Sequence, residues 1–305
     1  MNDYVALAVG VISAGIGGEL FVRGVVGLAH WARVSAGIIG ATVAAFATSA
    51  PELSVAVNSA LDRKPQISLG DVLGSNIINV ALILALALIL SGVQSPRDSI
   101  KRDFPVALLT PVIIGILCLD GLLSRIDGLI LLGMFSAWII AVVIEVRRQR
   151  SAADEVLGER RIGLAIILCG VGLGFLIFAG HLIVVGSTGI VISFGIDEFV
   201  IGATIVAIGT SIPELATTIA SKIRGHEEVG LGIILGSNIF NSLWVVGVAA
   251  TIFPISVSWH EVTVALAFGL VTVALTFPTS GGFIERRRGV LLLVLYVAYV
   301  VTILQ

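Results

Sequence analysis

Two glutamates, Glu52 and Glu214, each directly follow a proline and sit four residues after a Thr-Ser pair begins. Both lie inside long apolar runs. A carboxylate near the centre of a bilayer costs at least about 2.5 kcal/mol, so it marks an ion site or an ion path. Pro51 and Pro213 have no N–H and disfavour the carbonyl four residues back, that of Ala47 and of Gly209. In an apolar surrounding those oxygens need water, a side chain or a cation. Thr48, Ser49, Thr210 and Ser211 add hydroxyl oxygens on the same turns. Carbonyl, hydroxyl and carboxylate oxygens at one depth, with no sulfur or imidazole beside them, make a donor set for a hard cation such as Ca²⁺ or Na⁺.

The two motifs belong to a duplication. Residues 39–79 align with residues 201–241 at a constant shift of 162, without a gap, and 19 of the 41 positions are identical. The identities include Thr48, Ser49, Pro51, Glu52, Gly74, Ser75, Asn76 and Asn79, matched by Thr210, Ser211, Pro213, Glu214, Gly236, Ser237, Asn238 and Asn241. A lipid-facing surface requires only apolar residues, so it gives no reason to repeat Pro, Glu and Asn. A proline kink beside Ser and Thr is ordinary in membrane helices; the kink, the acid and the spacing repeated together point to a site. Asn79 and Asn241 follow Ser75 and Ser237 by four residues, which puts each pair on one helix face. Gly74 and Gly236 permit a close helix crossing. Pseudo-twofold symmetry would then gather Glu52, Glu214, Asn79 and Asn241 at the centre.

The elements that must carry this site are membrane helices. The chain is 57% hydrophobic and 12% charged, with a mean hydropathy of +1.09, whereas soluble domains carry about a quarter charged residues. Ten apolar segments are expected to be helical, at roughly 4–28, 36–60, 68–91, 104–120, 127–146, 162–185, 196–221, 229–253, 260–277 and 289–304, each near the ~20 residues a span requires. The alternating pattern of a β-barrel is absent. The expected fold class is an all-α polytopic membrane protein, ten transmembrane helices in two inverted five-helix repeats. The first covers 1–146, with its duplicated segment at about 36–91. The second covers 162–305, with its copy at about 196–253. The polar stretch 147–161 links them. Five helices is an odd number, so the second repeat enters from the opposite side. Inverted repeats around interrupted helices are the architecture of secondary transporters.

Charge sets the orientation. With both termini outside, the inside loops and the linker hold 14 of the 18 Lys and Arg, the expected cytoplasmic excess. Only Arg63, Lys64 and Arg125 fall outside, and Arg23 lies within the first helix. The start, Met-Asn-Asp, lacks the basic region of a cleavable signal. The expected location is the cell membrane, with the linker cytoplasmic.

The remaining chemistry-bearing residues are given lesser parts. Net charge −2 argues against a nucleic-acid partner, and no residue pattern indicates a cofactor or an obligate protein partner. Cys118 and Cys169 are expected to pack, and His30, His181, His226 and His260 lack metal-ligand spacing. Asp71, Asp120, Asp127, Asp197, Glu198 and Glu261 lie near helix ends and are expected to be solvated or capping. Glu19 and Arg23, at i and i+4, are expected to pair. A cation channel would draw its selectivity from a ring across subunits, and an intramembrane hydrolase would need a catalytic pair; no His lies beside either motif.

GATVAAFATSAPEL and GATIVAIGTSIPEL, each followed by a GSN-containing helix, resemble the two α-repeats of the cation/calcium exchanger superfamily, and in particular prokaryotic sodium/calcium exchangers. The resemblance implies a secondary antiporter exchanging Ca²⁺ for Na⁺ by alternating access, with inorganic cations and the lipid bilayer as partners. It implies that Ca²⁺ binds Glu52 and Glu214 with backbone oxygens of Thr48 and Thr210. It implies that Na⁺ uses Ala45, Ser49, Ser75, Ala207, Ser211 and Ser237 as well as the two glutamates. Asn79 and Asn241 would line the central position. Two departures stand out: Ala47 replaces the Gly usual there, and Asn241 replaces an Asp found in several sodium- and potassium-dependent relatives. Proton/calcium relatives typically carry a different motif, so proton coupling ranks second.

Overall fold

The computed structural model describes residues 3–152, 162–191 and 198–303, and nearly all of them are helical. Within the described residues, each apolar segment expected from the sequence falls mainly on helix. Among the described residues, five helices are long and apolar enough to cross a membrane: Ile12–Ala32, Pro65–Leu90, Arg125–Arg148, Ile162–Ala179 and Glu227–Ile252. A sixth candidate, Ala36–Thr48 with Ala50–Leu61, is bent by 41° at its break. Residues 153–161 of the linker and Asp197 lie outside the described residues, as do the side chains of His181, Glu198 and Glu261.

Burial separates two kinds of helix. The Pro65–Leu90 and Glu227–Ile252 windows are 83% and 89% buried, whereas Arg125–Arg148 and Ile162–Ala179 are 17% and 22% buried. The first two are therefore the core. The outer helices present Ile126, Leu129, Ile140, Ile144, Ile166 and Ile167 outward, the apolar belt that suits lipid rather than water.

The duplication is visible in local structure. Each broken helix ends on a left-handed residue, Arg63 (φ 60°) in the first copy and Gly225 (φ 73°) in the second. The next amide closes the cap: Lys64 N donates to Ser59 O at 2.8 Å and His226 N to Ser221 O at 2.9 Å, the six-to-one bond of a glycine-type helix stop. Glycine accepts that φ freely; arginine pays a steric cost of about 1–2 kcal/mol there. Two short antiparallel strand pairs also cross between the halves: Val93 opposite Ile284 with Gln94 opposite Phe283, and Leu122 opposite Ser256 with Leu123 opposite Ile255.

The first long helix, Asp3–Ala32, packs along Ile162–Val191. Their glycines mesh: a Cβ on Gly17 would lie 2.9 Å from Gly172 O, and one on Gly24 2.6 Å from Cys169 N. Cys169 thus packs as expected, and Cys118 is buried.

Candidate ion-binding site

Each broken helix is built from four pieces. An α-helical turn leads into a π-helical stretch, Gly40–Ala44 or Gly202–Val206. A short helix follows, Ala45–Thr48 or Ala207–Thr210. The chain then leaves helical geometry at Ser49 (φ −84°, ψ 11°) or Ser211 (φ −80°, ψ 3°) before Ala50–Leu61 or Ile212–Ile223 begins. Pro51 and Pro213, expected to break their helices, stand in the first turn of a new one, where a missing N–H costs no intrahelical bond. Glu52 and Glu214 then fall in that same first turn, at the positive end of the helix dipole. The break puts each acid at a helix start, where the dipole favours its charge, rather than in mid-helix.

The crossing helices are Pro65–Ile77 and Glu227–Ile239, each continued by a π-helical stretch, Ile78–Leu84 or Phe240–Val245. They cross the opposite copy's broken helix at van der Waals limit. A Cβ on Gly74 would lie 2.7 Å from Ala203 Cα, and one on Gly236 2.7 Å from Ala41 Cα. No side chain fits at either point, and the same shift of 162 relates the two contacts. The approach places Ser75 against the second copy's break and Ser237 near the centre.

Glu52, Glu214, Thr48, Ser49, Ser75, Asn79, Ser211, Ser237 and Asn241 are all fully or almost fully buried, and Thr210 is 6% exposed. Glu214 Oε1 accepts from Ser237 Oγ at 3.0 Å and from Ser49 Oγ at 3.3 Å. Glu214 Oε2, both oxygens of Glu52, Ser211 Oγ and both side-chain polar atoms of Asn241 have no protein partner. Ser75 Oγ lies 3.2 Å from Thr210 Oγ1 and 3.5 Å from Ala207 O. Thr48 Oγ1 donates to Ala45 O at 3.3 Å. Buried polar atoms are ordinarily satisfied, so a concentration of bare carboxylate and amide oxygens in one interior calls for a ligand. The residues fit a hard cation as transported substrate.

Two groups were missed by sequence reasoning. Asp71 was expected to be solvated or capping. It is 0% exposed and accepts from Thr210 Oγ1 at 3.0 Å and from Ser75 Oγ at 3.4 Å. It stands one turn before Ser75, an i, i+4 spacing that was available in the sequence. Asn76 and Asn238 were noticed only as identities. Asn238 Oδ1 accepts from Asn79 Nδ2 at 2.9 Å, Asn238 Nδ2 donates to Asn76 O at 3.1 Å, and Asn76 Nδ2 donates to Ser242 Oγ at 2.8 Å. This polar seam ties the two crossing helices together, and Asn79 is held through it. Asp120 and Asp127 behave as expected, accepting from the backbone of Leu122 and Ser124. Glu19 pairs with Arg23 at 2.6 Å and also meets Arg224. Among the described residues no three His, Cys, Asp or Glu side chains are grouped as metal ligands; the donors here are dispersed between carboxylates, hydroxyls and carbonyls.

Broken helices that bring carboxylates and hydroxyls together in the interior of an apolar bundle define a membrane carrier of cations. The comparisons name the family. The chain matches the sodium/calcium exchanger protein family over residues 3–144 and 164–305, and it belongs to that family. It is 37% identical to inner membrane protein YrbG of Escherichia coli over 71% of this chain and 70% of that one. It is 27% identical to the sodium/calcium exchanger MaX1 of Methanosarcina acetivorans over 99% and 98%. Its structure superposes on the sodium-calcium exchanger NCX_Mj, soaked with Na⁺ and Sr²⁺, with a TM-score of 0.81 and 29% identity, covering 98% of both chains. The chain is therefore a multi-pass membrane exchanger of cations for Ca²⁺, and a transporter rather than an enzyme.

Proposed function

We propose that this exchanger couples Ca²⁺ to Na⁺ by alternating access, with ten spans arranged as two inverted five-helix repeats, 1–146 and 162–305. Both termini lie outside and the linker 147–161 is cytoplasmic. The observation that carries the site is the bare pair of Glu52 oxygens together with the free Glu214 Oε2, all buried. Ca²⁺ takes six to eight oxygens at about 2.3–2.6 Å. Glu52, Glu214 and the backbone oxygens of Thr48 and Thr210 begin that shell. Na⁺ competes through the hydroxyls of Ser49, Ser75, Ser211 and Ser237 and the carbonyls of Ala45 and Ala207. Asn79 and Asn241 line the centre. Contacts repeated at a shift of 162 support the pseudo-twofold relation, and the odd number of spans per half makes it inverted.

Buried negative charge without a counter-ion is expensive. Filling by Ca²⁺ or by Na⁺ removes that cost, and emptying restores it. The empty site therefore reorients poorly, which is the energetic basis of exchange rather than leak. The Gly-rich helices Asp3–Ala32 and Ile162–Val191 are the pair that moves over the fixed core, since they pack mainly on each other and on one broken helix.

The test is radiolabelled Ca²⁺ uptake into proteoliposomes loaded with Na⁺ and diluted into Na⁺-free medium. Uptake that follows the Na⁺ gradient and survives a protonophore is the expected result. Uptake driven only by a proton gradient would make the protein a proton/calcium antiporter, and conduction of Ca²⁺ with no counter-ion would make it a channel.

A further inference from the structure

The site is asymmetric around Glu52. Ser237 Oγ donates to Glu214, so the pseudo-twofold axis would have Ser75 donate to Glu52. It does not: Ser75 Oγ and Thr210 Oγ1 both turn to Asp71, and Glu52 is left with no partner on either oxygen. The residue matched to Asp71 at the shift of 162 is Ile233, buried in apolar packing. The second copy therefore has nothing that could play the same part. Glu52, Asp71 and Glu214 are all 0% exposed, three carboxyl groups held in one interior.

The oxygens around Asp71 are spaced like a coordination shell. Asp71 Oδ1, Ser75 Oγ, Thr210 Oγ1 and Ala207 O lie 3.0–3.5 Å apart in the pairs Asp71–Thr210, Asp71–Ser75, Ser75–Thr210, Ser75–Ala207 and Thr210–Ala207. Neighbouring ligands of an octahedral shell with bonds of about 2.4 Å are about 3.4 Å apart. Two hydroxyl hydrogens cannot satisfy all five contacts at once, since each hydroxyl donates once. Asp71 Oδ2 has no partner, and neither has the buried Ser68 Oγ three residues earlier on the same face. A cation among these oxygens would be coordinated by four atoms already in place.

We propose that Asp71 is a third anionic ligand of the transport site, adding its carboxylate to the Ser75, Thr210 and Ala207 oxygens around a monovalent cation, at a position where the other repeat has the apolar Ile233. The inference rests on the exchanger reading above and deepens it. Two glutamates alone would be neutralised by one Ca²⁺ or two Na⁺. With Asp71 the cage holds three negative charges, matched by three monovalent ions or by Ca²⁺ plus one monovalent ion. Asp71 then does for this chain what an acid at the position of Asn241 could do, from a different helix.

The experiment compares wild type with Asp71→Asn and Asp71→Ser. Asn keeps an acceptor for Thr210 and Ser75, so the packing is retained. Ca²⁺/Ca²⁺ self-exchange in Na⁺-free proteoliposomes reports the intact carrier, and Na⁺-driven Ca²⁺ efflux reports the coupling. The expected result is half-saturating Na⁺ raised about tenfold and a Hill coefficient for Na⁺ lower by about one, a larger change than any in self-exchange. The rise in melting temperature of detergent-purified protein on adding NaCl or KCl against choline chloride reads cation binding without transport. It should require about tenfold more of the preferred cation in Asp71→Asn. Unchanged Na⁺ dependence in both measurements overturns the proposal. So does a variant whose only change is in the pH profile, which would make Asp71 a proton carrier. If wild type neither transports Ca²⁺ nor is stabilised by it, the exchanger site itself fails, an outcome distinct from failure of Asp71.

Discussion

Gly236→Ala tests whether the helix crossing positions the ion site. The added Cβ would sit 2.7 Å from both Ala41 Cα and Ala41 C and would overlap Ala41 O. Carbon atoms rest about 3.5–4.0 Å apart, so the crossing helix must retreat by about 1 Å. All the opposing atoms are backbone, so no rotamer change relieves the clash. Overpacking of this kind costs about 1–3 kcal/mol. The neighbouring Ser237 Oγ, 3.0 Å from Glu214 Oε1, would be carried beyond hydrogen-bond range. Loss of one bond to a carboxylate is worth about 1.5–3 kcal/mol, or roughly a 10- to 100-fold weaker half-saturating Ca²⁺ concentration. The assays are thermal stability in detergent and Ca²⁺ uptake in proteoliposomes. Gly170→Ala is the control, because a Cβ there meets nothing within 4 Å. A Gly236→Ala protein that melts and transports like the control would refute the close crossing and the positioning derived from it.

Other outcomes follow from the same geometry. Glu52→Gln and Glu214→Gln should each nearly abolish Ca²⁺ transport while the protein still inserts, because Gln keeps size and polarity but removes a charge from a buried site; near-normal flux in either would remove that residue from the ion shell. Asn238→Ala should lower stability by about 1–3 kcal/mol, since it leaves Asn79 Nδ2 and Asn76 O unpaired in the interior. Thermal melting checks it, and an unchanged midpoint would show the seam to be dispensable.

Much of this protein was legible from spacing alone. The duplication at 162 residues located the breaks, because Pro, Thr, Ser and Glu act on the chain locally: they end a helix, start the next and fix which atoms face the gap. The apolar segments fell on helices for the same local reason. Gly74 and Gly236 could be recognised as crossing points, since only a missing side chain permits backbone contact in a membrane.

Other features depended on which helix lies against which. Asp71 reads in sequence as an acid six residues into its helix, indistinguishable from Asp120 or Asp127, which cap and face the loops. Its role appears only when Thr210, 139 residues away, is brought to 3.0 Å. The Asn79–Asn238 bond likewise joins different repeats, so the internal spacing of neither motif contained it. Nor could hydropathy distinguish Pro65–Leu90, wrapped by other helices, from Arg125–Arg148, exposed to lipid: their mean hydropathies are 2.4 and 2.5. In a bilayer, packing against protein and packing against acyl chains demand the same apolar side chains. The sequence determined the pieces of the site through local backbone chemistry. The tertiary structure alone decided their neighbours, because those contacts are made across the pseudo-twofold axis between segments that no local rule connects.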